Sequence, residues 1–274
     1  MLGQPVCSYT DLEAGVTTVM SFLNSRNVWS QTTRVAIRTG LQSIEACGLS
    51  VGSAKLSFCK LKSQDWSQAW KHHFKPFHIG SALLVRPSWS RIRPKPGQLA
   101  LMIDPGLTFG TGHHPTTRFC LEQLVNHRGT ARSQSFLDLG SGSGILAIAA
   151  AKLGYAPVLA IDFDPDAVRI ARDNARRNRL AGKVEFRRLD ITKLRLNSAE
   201  KYSVVCANLI TPLLLSERKR ILTRVEKEGV LVLAGILESE FESVRAAYAS
   251  QGLRPERTRT EREWRSGVFR NQMI

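Results

Sequence analysis

The sequence is short of acid: 23 Asp and Glu stand against 39 Lys and Arg, leaving a formal charge of +16 on 274 residues. An excess of one sign on this scale points to an anionic neighbourhood such as RNA or a ribonucleoprotein particle, without identifying the partner. Cysteine is scarce as well. Cys7, Cys47, Cys59, Cys120 and Cys206 are odd in number and include no C-x-x-C pair, which argues against a zinc site and for reduced thiols in a cytosol. No apolar run approaches the ~18 residues of a membrane span, and the first residues lack a basic stretch followed by an apolar one. The expectation is a soluble, cytoplasmic protein with no membrane partner and no resident metal. Gly-Lys-Ser/Thr is missing after the glycine-rich turn, so a Walker loop is excluded. Aromatic residues are few at 7 %, and no aromatic interleaving of the repeated kind used to stack bases accompanies Arg169, Arg172, Arg176 and Arg179 or Arg254, Arg257, Arg259, Arg262 and Arg265. These basic runs therefore read as solvated faces as readily as nucleic-acid surfaces.

An apolar fraction of 43 % with 23 % charged residues is that of an ordinary globular protein, and the length allows one large core plus a small extra module. The large core is organised around Phe136-Leu137-Asp138-Leu139-Gly140-Ser141-Gly142-Ser143-Gly144, which runs into Ile145-Leu146-Ala147-Ile148-Ala149. The pattern is strand, tight turn, helix. Gly140, Gly142 and Gly144 let the backbone approach a ligand closely, beneath the positive end of the new helix. A dinucleotide fingerprint is G-x-G-x-x-G and cradles a pyrophosphate, which Asp138 would repel; the spacing here is G-x-G-x-G. Asp138 suits instead a ligand that carries positive charge, such as the sulfonium and amino groups of S-adenosylmethionine. A second strand, Val158 to Ile161, delivers Asp162 about twenty residues past the glycines, where a carboxylate accepts both hydroxyls of a ribose. Asp164 and Pro165 then suit the cap and first position of the next helix.

Before this core, residues 1–62 read as a small α+β module, with strands at Gly15 to Phe22 and Ala54 to Leu61 around a helix near Thr33 to Cys47. It carries no catalytic constellation, so partner recognition is its expected use. Residues 63–98 read as a linker: a short helix from Asp65 to His73, a strand from Phe77 to Val85, and a connector broken by Pro87, Pro94, Pro96 and Gly97. His72 and His73 are adjacent on that helix and point apart, which disfavours metal ligation. Residues 99–274 read as the cofactor domain. It opens with a strand from Leu99 to Ile103 and the unusual segment Asp104 to Thr117, in which Phe109 is surrounded by small and turn-forming residues. That segment suits a loop over a flat adenine or methionine moiety, or a structural turn in which His113 and His114 cap a helix. Strands at Val184 to Arg188, Tyr202 to Cys206, Val230 to Ala234, Leu253 to Arg259 and Trp264 to Phe269 complete the chain, the last two as an antiparallel hairpin. The sum is an α/β protein: a Rossmann-like seven-stranded sheet of class I methyltransferase architecture with a small N-terminal α+β domain.

Asp104 to Thr117, Leu137 to Ile148 and Ala207-Asn208-Leu209, with Asp65, Trp66, Trp70 and Arg86-Pro87-Ser88-Trp89, resemble the PrmA family, methyltransferases that modify a large-subunit ribosomal protein, L11. The resemblance runs from about Asp65 to the C-terminus. It implies that Thr117, Gly140, Asp162 and Asn208 contact S-adenosylmethionine, alongside Asp138, Gly142 and Gly144 read from the turn itself; Asn208, through its side-chain carbonyl, is also the expected holder of the neutral acceptor amine. It implies transfer of methyl to a lysine side chain or an N-terminal amine of that ribosomal protein. In one departure, Asn208-Leu209-Ile210-Thr211-Pro212-Leu213 is one residue shorter than the family's common pattern. The competing readings are a methyltransferase of rRNA or other nucleic acid, favoured by the charge, and a non-catalytic ribosome-binding relative. Base-amine methylation commonly uses Asn-Pro-Pro-aromatic, and Leu209 and Ile210 follow Asn208 instead; the intact acid and glycine set argues against lost cofactor binding.

Overall fold

The computed structural model describes residues 6–11, 16–21, 28–46, 51–57, 75–104, 112–129 and 134–272. They divide into two units, Met1–Asp65 and Trp66–Ile274. In the first, β1 (Val6–Asp11) and β2 (Val16–Ser21) pair antiparallel with Asp11 opposite Val16. A helix, α1 (Gln31–Ala46), follows, opened by Ser30, whose Oγ accepts the Thr33 amide at 3.2 Å. The sequence reading has β2 and α1 nearly in place and misses β1. The expected strand from Ala54 does not form over residues 54–57, and 58–61 lie outside the described residues. So does the expected helix from Asp65 to His73.

The second unit opens with a correction. Phe77 to Val85 is not one strand but a hairpin of β3 (Phe77–Ile79) and β4 (Leu83–Arg86), turning at residues 80–82. Four apolar residues with no alternation read as one buried strand, and only the Gly80 turn divides them. β5 (Leu99–Met102) then pairs parallel to β4, giving a three-stranded sheet whose Leu83, Leu84, Val85 and Leu101 are fully buried. The segment read as connector therefore supplies two strands that pack with the residues after it.

The main sheet is built from β6 (Phe136–Leu139), β7 (Val158–Asp162), β8 (Glu185–Arg188), β9 (Tyr202–Asn208), β10 (Val225–Leu237), β11 (Leu253–Glu261) and β12 (Trp264–Asn271). Their order is β11-β12-β10-β9-β6-β7-β8. β6 to β10 run parallel, and β12 enters antiparallel between β10 and β11. The sheet order places β6 beside β9 although β7 and β8 lie between them in sequence, which creates a switch point at their C-terminal ends. The seven-stranded sheet with its final reversal is as expected.

Both faces of the sheet are covered, which is why its parallel strands are almost continuously apolar. Phe136, Ala160, Phe186, Val204, Cys206 and Val232 face α2 (Pro115–Asn126), α3 (Ile145–Leu153) and α4 (Pro165–Arg177). Leu137, Leu139, Ile161, Val205, Ala207 and Leu231 face α5 (Thr211–Ser216), α6 (Arg218–Leu222) and α7 (Phe241–Ala249). α4 begins as its sequence indicates: Asp164 Oδ1 accepts the Asp166 amide at 2.9 Å and Pro165 occupies the first turn. Among the described residues no helix is long and apolar enough to cross a membrane.

Candidate functional site

Strand register decides which side chains meet at the switch point. Asp138 lies opposite Ala160 of β7 and Cys206 of β9. Neighbouring strands present paired residues to one face, and residues two apart share it. Asp138, Asp162 and Asn208 therefore project to the same side, the one covered by α2, α3 and α4. Asn208 ends β9 rather than following it, since that strand runs two residues past the expected Cys206. The first turn of α2 reaches the same pole: the His114 ring packs edge-on against Trp264 at 4.9 Å, and Trp264 pairs with Leu237 at the end of β10. Thr117 lies in that turn. His114 occupies the N-cap position without a side-chain cap bond, its Nδ1 lying 2.7 Å from Thr116 Oγ1. Phe109 lies outside the described residues.

The glycine turn is held from β7. The Gly140 and Ser141 amides both donate to Ile161 O at 3.0 Å, and the Gly142 amide donates to Asp162 Oδ2 at 2.8 Å. The Asp164 amide donates to Asp162 Oδ1 at 3.0 Å, so two backbone donors fix this carboxylate while leaving it lone pairs for a ligand. Gly144 caps α3 in the left-handed region. Gly140 is obligatory twice over: its φ is +76°, and a Cβ there would sit 2.5 Å from Leu209 Cδ2. The turn is thereby packed onto the segment after β9.

What distinguishes this pole is unmet polarity. Among the described residues, six buried oxygens have no hydrogen-bond partner: Thr117 Oγ1, both carboxylate oxygens of Asp138, Ser141 Oγ, Asn208 Oδ1 and Thr211 Oγ1. Each such group costs about 1–3 kcal/mol, more when charged, so a folded protein tolerates a cluster of them where a ligand supplies the partners. Asp138 is 1 % exposed, and burial pushes its carboxyl up to about 7. The neighbouring Asp162 adds to the shift and the Ala147 amide opposes it. Cys206, beside Asp138 in the register, is a free buried thiol whose ionisation burial also pushes up, in contact with Cys120. It is no nucleophile.

The raised carboxyl carries a stability prediction. A folded pKa above the unfolded 3.8 means the folded state holds the proton more tightly. The stabilisation is complete below about pH 4 and is lost as pH rises through about 7. Asp138→Asn should therefore raise the melting temperature of the ligand-free protein at pH 8, by an amount corresponding to roughly 1–3 kcal/mol. A lowered melting temperature would show that the carboxylate is satisfied from within the fold.

Four further residues serve the site and escape the sequence reading. Gly235, at φ +81°, leaves room for the end of β9: a Cβ would meet Leu209 O at 2.6 Å and Asn208 Oδ1 at 3.1 Å. The Asn174 side chain donates to Ser143 O of the glycine turn at 2.9 Å. Asn178 takes the Met102 amide at 2.9 Å and donates to Met102 O at 2.6 Å, acting as a short strand partner to β5. Arg177 pairs with Asp104 at 3.0 Å. The signal for the asparagines is their spacing: Asn174 and Asn178 continue the stripe of Ala167, Val168, Ala171 and Ala175 on an otherwise basic helix. On the exposed face of that helix, Arg169 and Arg176 pair with Asp166 and Asp173, so much of its positive charge is neutralised locally.

A family model described as Ribosomal protein L11 methyltransferase (PrmA) matches residues 9–272, extending the resemblance into the N-terminal unit. The ribosomal protein L11 methyltransferase of Pelobacter propionicus is 39 % identical over 226 residues, covering 81 % of this chain and 71 % of that protein. That of Caldanaerobacter subterraneus subsp. tengcongensis is 32 % identical over 267 residues, covering 97 % and 80 %. Among solved structures, a ribosomal protein L11 methylase from Lactobacillus delbrueckii subsp. bulgaricus superposes with a TM-score of 0.65 at 24 % identity, covering 73 % of this chain and all of that one.

Proposed function

The chain belongs to the ribosomal protein L11 methyltransferase (PrmA) family, and from that membership we propose how it works: it moves methyl groups from S-adenosylmethionine to amino groups of ribosomal protein L11. It is a methyltransferase that uses S-adenosylmethionine. The donor brings a methyl already activated on a cationic sulfur, so the chain's own task is to bind, orient and exclude water.

The observation that carries the site assignment is the cluster of unpartnered buried oxygens around Asp138 and Asn208. It is rich in acceptors and fits a ligand offering an ammonium, a sulfonium and ribose hydroxyls; a pyrophosphate would meet two carboxylates instead. In this reading Asp138 faces positive charge and Asp162, held by the Gly142 and Asp164 amides, accepts from the ribose. Thr117 and the amides of Gly140, Gly142 and Gly144 complete the pocket. Phe163 and Ile210 stand exposed just after Asp162 and Asn208 and offer apolar surface to the adenine and the acceptor stem. Cation binding favours the Asp138 carboxylate, so donor affinity rises with pH towards about 7.

Asn208 is placed to hold the acceptor. A lysine amine must be neutral to attack, which costs about 4–5 kcal/mol at pH 7 from an unperturbed pKa near 10.4. A desolvated pocket beside a cation lowers that cost, and Asn208 Oδ1 accepts a hydrogen bond from the neutral amine. No aromatic residue follows Asn208 to sandwich a flipped base, which disfavours nucleic acid as the acceptor. An RNA neighbourhood is nonetheless proposed from the charge of +16.

Calorimetry tests the cofactor assignment. S-adenosylmethionine should bind and NAD should not, and Asp162→Ala should weaken donor binding by roughly 1.5–3 kcal/mol, the range for a hydrogen bond to a charged group. An unchanged affinity would remove Asp162 from the ribose.

A further inference from the structure

The charge of this chain is unevenly held. Many arginines of the main sheet and its helices are paired: Arg169, Arg176, Arg187, Arg220, Arg245, Arg259 and Arg270 each meet a carboxylate within 4 Å. The segment ahead of β5 is different. Between Asp65 and Asp104 the sequence has no acidic residue and six basic ones, Lys71, Lys75, Arg86, Arg91, Arg93 and Lys95. Three of these lie in the loop Arg91-Ile92-Arg93-Pro94-Lys95-Pro96-Gly97, every residue of which is exposed, Ile92 by 51 %. Within the described residues Arg91, Arg93 and Lys95 have no ion-pair partner. The nearest acid in sequence, Asp104, is already engaged by Arg177 and by the Ser88 amide.

The loop is also stiff. Arg93 and Lys95 each precede a proline, which restricts both to extended backbone, and Pro94 and Pro96 fix their own φ. Its base is clamped by Gln98, which is 8 % exposed, takes the Lys95 amide at 3.2 Å, donates to Gly80 O at 3.3 Å and lies 3.0 Å from His78 Nδ1. At the other end the Arg86 guanidinium holds Ser90 O. In extended or polyproline-like backbone each residue advances about 3.1–3.4 Å, so positions 91, 93 and 95 follow one another about 6–7 Å apart along the loop. Little backbone entropy is left to lose on binding.

We infer that the loop from Arg91 to Lys95 is a contact site for the phosphate backbone of RNA. A rigid row of evenly spaced, uncompensated cations matches a linear, regularly charged polyanion better than it matches a folded protein surface, where acids are scattered and mixed with bases. The inference rests on the reading of a ribosomal protein as substrate only in supposing that RNA lies close to the enzyme; the loop binds RNA whether or not donor is present.

The test is the salt dependence of binding to a fluorescein-labelled 20-nucleotide oligouridine, followed by anisotropy in 50 to 200 mM KCl, with the full chain and with the triple variant Arg91→Ala/Arg93→Ala/Lys95→Ala. Each phosphate contact on a single strand contributes about −0.7 to the slope of log K against log salt. The triple variant should lose about 2 units of slope and at least about tenfold in affinity at 50 mM KCl, while Arg91→Lys/Arg93→Lys retains the slope of the parent. Donor affinity, measured calorimetrically on the same variants, should stay unchanged and so separates failure of this inference from failure of the methyltransferase reading. An unchanged slope overturns the inference. So does a triple variant that binds RNA normally yet loses methyl transfer to purified, RNA-free L11, which would assign the loop to the protein substrate.

Discussion

Replacing Asn208 by alanine is expected to lower kcat for methyl transfer about 10²- to 10³-fold, a larger loss than any change in donor affinity. The reason lies in the geometry of the strand end. Asn208 Oδ1 is buried without a partner beside the glycine turn, and Gly235 clears the space that lets it stand there. Alanine keeps the backbone bond from the Leu209 amide to Ala234 O at 3.0 Å, so the strand end stays in place. It removes the acceptor that holds a neutral amine in line. Gly235→Ala offers the complementary test, since its Cβ would press on Leu209 O and Asn208 Oδ1 without deleting any functional group. It should also reduce kcat by about 10²-fold through misplacement alone. Rapid-quench kinetics with L11 decide both; an Asn208→Ala enzyme with full kcat would take Asn208 out of acceptor positioning.

The second large effect concerns the two units. A chain beginning at Trp66 is expected to bind S-adenosylmethionine with the affinity of the parent and to lose methyl transfer to L11 by several orders of magnitude. Asp138, Asp162, Asn208, Thr117 and the glycine turn all belong to Trp66–Ile274, as do the strands β3, β4 and β5 that a cut at Leu99 would separate. Among its described residues the first unit contributes none of the unpartnered oxygens, and its proposed use is to hold the protein substrate. Orientation of two reactants accounts for up to about 7–11 kcal/mol of a barrier, and losing even part of that separates donor binding from turnover. If the shortened, folded chain methylates intact L11 at the parental rate, acceptor recognition resides wholly in the catalytic unit.

How much of this was readable from the sequence follows from the range of the interactions. Asp138, the three glycines, Asp162 and the Asp164-Pro165 cap are local: strand, turn and helix start are written in adjacent residues, and their positions need no tertiary information. Asn208 was legible as a strand-end residue, though two residues of β9 were not. The β3–β4 hairpin was hidden because both strands are short and largely apolar, so periodicity could not divide them. Gly235 and Asn174 were invisible for a different reason. Their roles exist only across the fold, towards Leu209 and Ser143; the helical spacing of Asn174 marks it as inward-facing, and nothing local says what it meets. The basic runs misled in part, because i,i+3 partners such as Asp166 and Asp173 consume charge that a tally counts as free.

The central claim is that this protein methylates amines of ribosomal protein L11. Intact-mass and peptide mass spectrometry of purified L11, incubated with the full chain and S-adenosylmethionine, tests it directly. Mass gains in whole methyl increments on lysine or N-terminal amines are expected, strongly reduced by Asp162→Ala and nearly abolished by Asn208→Ala. An unmodified L11, with methyl appearing on rRNA or on nothing at all, would contradict it.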